Sequence, residues 1–153
     1  MMTITTAAIH HGDIDAAYGK FGTDFVGDMP ARSWPIRIHN APAGTKTFAL
    51  ILDDKMAVSH APWIHWLACN ITTPEIPDGV SGNHPPFQEG RNGWGLNQYG
   101  GMAPPDKPHR YDITVYALDT ALALNDWFTA ADLRQAMDGH ILETATASGL
   151  YPA

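Results

Sequence analysis

The sequence predicts one mainly β domain whose strands are joined by long, shaped loops. Two observations point there. Short apolar runs with strand character recur through the middle of the chain. In addition, 14 Gly, 12 Pro, 8 His and 5 Trp are spread over 153 residues, a mix at odds with a simple helix bundle. The length fits a single domain over residues 1–153 and supports a core without disulfide or metal staples.

The elements follow in order. Gly12, Gly19, Gly22, Gly27 and Pro30 punctuate the first 33 residues. That stretch is expected to be extended, with one short edge strand, and it is a candidate cover for a binding mouth. Trp34 to His39 reads as a strand with Trp34, Ile36 and Ile38 on one face, and Pro35 marks its start or edge. A turn over Asn40-Ala41-Pro42-Ala43-Gly44 leads to a second strand, Thr45 to Leu52, which stops at Asp53-Asp54-Lys55. The third strand is Ile64 to Ile71, with His65, Leu67, Cys69 and Ile71 on one face by simple alternation. Residues 74–110 are too long and too rich in Gly and Pro for a plain connector, and Trp94 and Tyr99 are expected to anchor them as a functional surface. Arg110 to Leu118 alternates as a fourth strand, with Tyr111, Ile113, Val115 and Ala117 on one face and Asp112, Thr114, Tyr116 and Leu118 on the other. Thr129 with Asp132 three residues on has the spacing of a helix cap, so a helix is expected from Ala130 to Thr146, docking Leu133, Met137 and Ile141.

Composition excludes several functions. The chain has 16 acidic and 9 basic side chains, a formal net charge of -7, and no basic patch, which argues against a nucleic-acid partner. Its apolar runs are too short to span a bilayer, so no transmembrane insertion is expected. The start Met1-Met2-Thr3-Ile4-Thr5 has no secretory pattern, and a cytoplasmic location is the expectation. The single Cys69 permits no intramolecular disulfide and reads as a core thiol.

The chemistry concentrates in Asp54, His65, His109 and Tyr111. Three of them sit where a strand meets a loop, and Tyr111 shares a strand face with His109. Brought together, two imidazoles, a carboxylate and a phenol form a seat for a phosphate or carboxylate. Taken singly, Asp54 caps a turn, His65 is a half-buried strand residue and His109 starts the next strand. Both readings stand at this level. Two His and one Asp are acceptable ligands for zinc or non-haem iron, yet their spacing matches no compact metal motif, and neither metal nor cofactor is expected. No nucleophile elbow, phosphate loop or dinucleotide fingerprint is present. Ser59 and Ser81 lie near histidines without further support for a triad.

Four blocks resemble the phosphatidylethanolamine-binding protein family, in particular its small bacterial and archaeal, Raf-kinase-inhibitor-like members. They are Pro42 to Leu50, Trp63 to Ile71, Arg91-Asn92-Gly93-Trp94-Gly95 with Tyr99 to Pro105, and His109-Arg110-Tyr111 with Val115 to Leu118. The C-terminal Gly139-His140-Ile141-Leu142 and Gly149-Leu150-Tyr151 are also similar to those members. The resemblance implies a central antiparallel sheet, a smaller second sheet and peripheral helices. It also implies a small anion pocket formed by Asp54, His65, His109 and Tyr111, walled by Gly100, Gly101, Pro104 and Pro105. In the family this pocket accepts phosphate-like or carboxylate groups, including phospholipid headgroups in some members. The family's usual Asp-Pro-Asp-Ala-Pro is here Asp54-Lys55-Met56-Ala57-Val58. That departure makes Lys55, Met56, His60, His84 and Trp94 candidates for specificity.

The leading expectation is therefore binding of a small anionic or carboxylate-bearing molecule, with a regulatory role as one form of it. The alternatives are a lyase, isomerase or cyclase using the same four groups, and an interaction module built on Pro85 to Pro105. A homodimer is a candidate assembly.

Overall fold

The computed structural model describes residues 1–58 and 61–153. Five short strands come first: β1 (Thr3–Thr5), β2 (Ile9–His10), β3 (Asp13–Ile14), β4 (Phe25–Val26) and β5 (Met29–Pro30). They are followed by β6 (Ile36–His39), β7 (Thr47–Asp54), β8 (Trp63–Ile71), β9 (Glu75–Ile76), β10 (Gln88–Glu89), β11 (His109–Leu118), the helix α1 (Ala130–Met137) and β12 (Ile141–Tyr151). The main sheet has seven strands in the order β10-β8-β7-β11-β12-β3-β2. Its pairs are antiparallel except for a single parallel contact between Leu150 of β12 and Asp13 of β3. A three-stranded sheet, β1-β6-β9, and the β4-β5 ribbon complete the mainly β fold.

The run in β7 explains the layering. All eight of its residues are buried, because both faces of the central sheet are covered. Phe48, Leu50 and Leu52 join Trp66, Ile113 and Val115 in a core shared with Trp34, Ile36 and Ile38 from the β6 side. Ala49 and Ile51 face the other way, into a core with Leu67, Cys69, Leu118, Leu133 and Met137 under α1. The expected alternations of Trp34/Ile36/Ile38 and of Tyr111/Ile113/Val115/Ala117 therefore stand as read.

Three expectations are corrected. The first 33 residues contain five short strands where one was expected. The second strand begins at Thr47 and runs through Asp53 and Asp54, which places both carboxylates in the sheet. The helix ends at Met137. Gly139 adopts φ +81, a left-handed conformation that stops α1, and Ile141 turns into an eleven-residue strand. Thr144, Ala145, Thr146 and Ala147 alternate with period two, and pairing with β11 outweighs the three-to-four spacing of Leu133, Met137 and Ile141. The N-terminal cap is as expected: Asp132 N–H donates to Thr129 Oγ1, and Thr129 N–H donates to Asp132 Oδ2. The proline-rich loop lies over its own sheet, with Gly100 N–H donating to the His65 carbonyl and Gly93 N–H to that of Ile64. No helix among the described residues is long and apolar enough to cross a membrane.

Candidate functional site

Strand register brings the site together. Asp54 at the end of β7 stands opposite Tyr111 on β11 and opposite Trp63 on β8. Three neighbouring strands thus present polar and aromatic groups at one end of the sheet. His65 reaches the same place through a bulge: Leu52 pairs with Trp66 and Asp53 with Ile64, so His65 is the extra residue. Bulges re-aim side chains. The expected face of His65, Leu67, Cys69 and Ile71 is therefore split. Leu67 and Cys69 enter the core under α1, whereas His65 packs on Tyr111 and Trp94. A second irregularity near Asn70, which sits at φ 57, turns Ile71 to the opposite core as well.

The result is a cavity of about 220 Å³. Asp54, His65, His109 and Tyr111 line it at the strand ends, with Trp63 and Trp94 on one side and Ala57, Val58, Ala103, Pro104 and Pro105 on the others. Trp94 meets the Trp63 ring edge-on at 5.4 Å and the His65 ring at 5.7 Å. Two glycines allow this wall. A Cβ on Gly93 would lie 2.2 Å from the Trp63 ring, and one on Gly100 would lie 2.4 Å from Trp94. Gly100→Ala is expected to displace Trp94 and lower stability by about 1–3 kcal/mol. Chemical denaturation checks it, and an unchanged midpoint would show that the wall yields freely.

The electrostatics of the two histidines differ. His65 Nδ1 lies 2.6 Å from the Gly100 carbonyl oxygen, which only accepts, so Nδ1 carries the hydrogen. Burial pushes its pKa down to about 4, against the partial support of that carbonyl and of Asp54. The ring is neutral at physiological pH, and its Nε2 is an acceptor. His109 lies between two carboxylates: Nδ1 is 2.6 Å from Asp54 Oδ2 and Nε2 is 2.7 Å from Asp106 Oδ1. Burial opposes its charge, yet the two carboxylates outweigh burial and raise its pKa. Both ring nitrogens then donate. Burial, with the Asp54 charge, also raises the Tyr111 phenol, which stays a donor.

These shifts set a pH dependence. Unfolded His65 titrates near 6.5, above its folded value of about 4. The stability that its neutral ring contributes is complete above about pH 6.5 and is lost as the pH falls towards 4, a change of roughly 3 kcal/mol. His109 acts in the opposite sense: its contribution is complete below about pH 6.5 and is lost as the pH rises through its raised folded pKa. Urea denaturation between pH 4 and 7 is expected to show a flatter acid limb for His65→Gln than for the native chain. Equal slopes would contradict a neutral, buried His65.

Other candidates fall elsewhere. Lys55 bonds Asp53 and Asp112, whose cross-strand pair faces away from Tyr111. Met56 is 41% exposed and its Sδ accepts from Arg110 N–H. The pocket wall beside Asp54 is Ala57 and Val58. His84 is exposed at φ 52 and does not line the cavity. Gly100 stands behind Trp94, Gly101 packs against Tyr18 and Pro30, and of the four only Pro104 and Pro105 line the cavity. His60 and Ser59 lie outside the described residues, and Ser81 is buried against Glu89. Sequence reasoning missed Asp106. Its only signal is its place three residues before His109, between Pro105 and Pro108.

A β domain with a polar-floored pocket at the ends of its central strands is the class that fold and site define. The family model for phosphatidylethanolamine-binding protein matches residues 5–152, and the chain belongs to that family. It is 37% identical over 144 residues to YxkA of Bacillus subtilis, covering 84% of this chain and 82% of that protein. It is 36% identical over 121 residues to a UPF0098 protein of Chlamydia pneumoniae, covering 76% and 80%. The crystal structure of CT736, a phosphatidylethanolamine-binding protein homologue from Chlamydia trachomatis, superposes with a TM-score of 0.86 at 30% identity, covering 99% of this chain and 97% of that one. YbcL of E. coli, described as a member of the mammalian family, gives 0.86 at 25% identity, covering 99% and 98%.

Proposed function

We propose that the cavity binds a small molecule bearing a carboxylate or phosphate-like group and an apolar body. The observation that carries this reading is the meeting of Asp54, His65, His109 and Tyr111 beneath Trp63, Trp94, Pro104 and Pro105. His109 supplies positive charge and Tyr111 an O–H donor, both suited to an anionic oxygen. His65 offers an acceptor, which suits a second oxygen that still carries a proton. A head group with one anionic oxygen and one O–H or N–H donor matches all three. The cavity of about 220 Å³ is smaller than the roughly 300–1,000 Å³ of drug-sized sites, so the ligand is small.

Titration calorimetry with acetate, benzoate and inorganic phosphate tests the reading. Benzoate should bind about tenfold more tightly than acetate, a difference of about 1.4 kcal/mol, because its ring meets the tryptophans. Trp94→Ala should remove that advantage and leave acetate unchanged. Absence of binding by all three probes would overturn the proposal.

A further inference from the structure

We infer that Asp106 occupies the position of the ligand's anionic group: its carboxylate on His109 Nε2 is a built-in surrogate that an incoming carboxylate or phosphate displaces. The inference rests on the ligand-binding reading above and names how that site is regulated.

The two carboxylates on His109 have unlike standing. Asp54 is 4% exposed, belongs to β7, and its Oδ1 also accepts from Met56 N–H. It cannot leave without stranding a buried charge. The Asp106 side chain is 46% exposed and sits on a bend before β11. Its remaining partners are the backbone N–H groups of Asp106 and Lys107, so water can take their place when the side chain rotates out. Pro105 and Pro108 bracket the bend, so rotation of the side chain suffices without movement of the loop.

Charge requires the exchange. Two carboxylates on one imidazolium leave the site with one surplus negative charge. A further anion added to that set would meet the like charge of both carboxylates at short range. Exchange of Asp106 for the ligand keeps the balance at His109 unchanged. Pro104 and Pro105 line the cavity immediately before Asp106, so the position it vacates adjoins the pocket wall. A tethered carboxylate competes at an effective concentration in the millimolar range or above. The site thereby discriminates against weak anions and retains those whose remainder also contacts the tryptophan wall.

Imidazole 15N NMR and calorimetry at pH 6, with acetate and inorganic phosphate as probes, test this on the native chain, Asp106→Asn and Asp106→Ala. Both variants should bind the probes at least about tenfold more tightly than the native chain. The His109 Nε2 signal of the ligand-free variants should already differ from native and should respond to the probe. Native binding of acetate or phosphate with equal or weaker binding by both variants would overturn the surrogate role and leave the pocket reading intact. No binding by any of the three proteins would overturn both.

Discussion

Replacing His109 by alanine is expected to destabilise the protein by about 3–5 kcal/mol and to abolish the response to small anions. The cost arises from what is left behind. Asp54 is buried, and its Oδ2 loses the only side-chain donor among the described residues that lies on it, 2.6 Å away. An unpaired buried carboxylate is far less favourable than the pair. The double variant Asp54→Asn, His109→Ala removes that charge and is expected to be more stable than the sum of the single changes predicts. Urea denaturation of the four proteins in the cycle measures this. A loss below about 1 kcal/mol for His109→Ala would place the pair in the class of exposed ion pairs and contradict a sequestered site.

Replacement of Trp66 by alanine is expected to cost a similar amount, about 3–5 kcal/mol. Trp66 is fully buried, meets the Tyr99 ring edge-on at 5.8 Å and lies 6.5 Å from the Phe87 ring. Its Nε1–H donates to Glu89 Oε2 at 2.8 Å. Glu89 also accepts from Ser81 Oγ, which in turn accepts from Tyr99 N–H. The change therefore opens a cavity and removes a donor from a carboxylate whose pKa burial already raises. It reaches the site because Tyr99 precedes Gly100, whose carbonyl holds His65. Trp66→Phe keeps most of the volume and should recover part of the stability. Denaturation midpoints that fall equally for both variants would assign the loss to the hydrogen bond.

Much of this arrangement was legible in the residues. The Thr45 to Leu52 run read as a strand, and the alternation from Tyr111 to Ala117 set its apolar residues on one face, which lies in the core. The Thr129 and Asp132 cap needed only local spacing. These features depend on near neighbours along the chain. The register that sets Asp54 beside Tyr111 and Trp63 depends on pairing between distant segments, which period two alone does not specify. The bulge at His65 was hidden for the same reason. An extra residue in one strand leaves the sequence pattern almost intact while reversing every side chain beyond it. Ile141 misled because it continues the Leu133 and Met137 stripe, although Gly139 at positive φ ends the helix before it. Asp106 was invisible because its role comes from a bend that returns it to His109.

Lys55 and Met56 carry the clearest departure from the family pattern, and the structure relocates its consequence. Lys55 pairs with both Asp53 and Asp112, which are buried, and Arg110 also lies on Asp112, so two cations balance two carboxylates and support the sheet beside the pocket. The pocket rim itself carries Val58, an apolar side chain 73% exposed.

The most direct test of a shared pocket is imidazole 15N NMR of the native protein during titration with benzoate and inorganic phosphate at pH 6. Saturable shifts of both His65 and His109 at one common dissociation constant, with exposed His84 unmoved, are the predicted result. His65 and His109 signals that stay fixed while exposed histidines follow the added anion would contradict it.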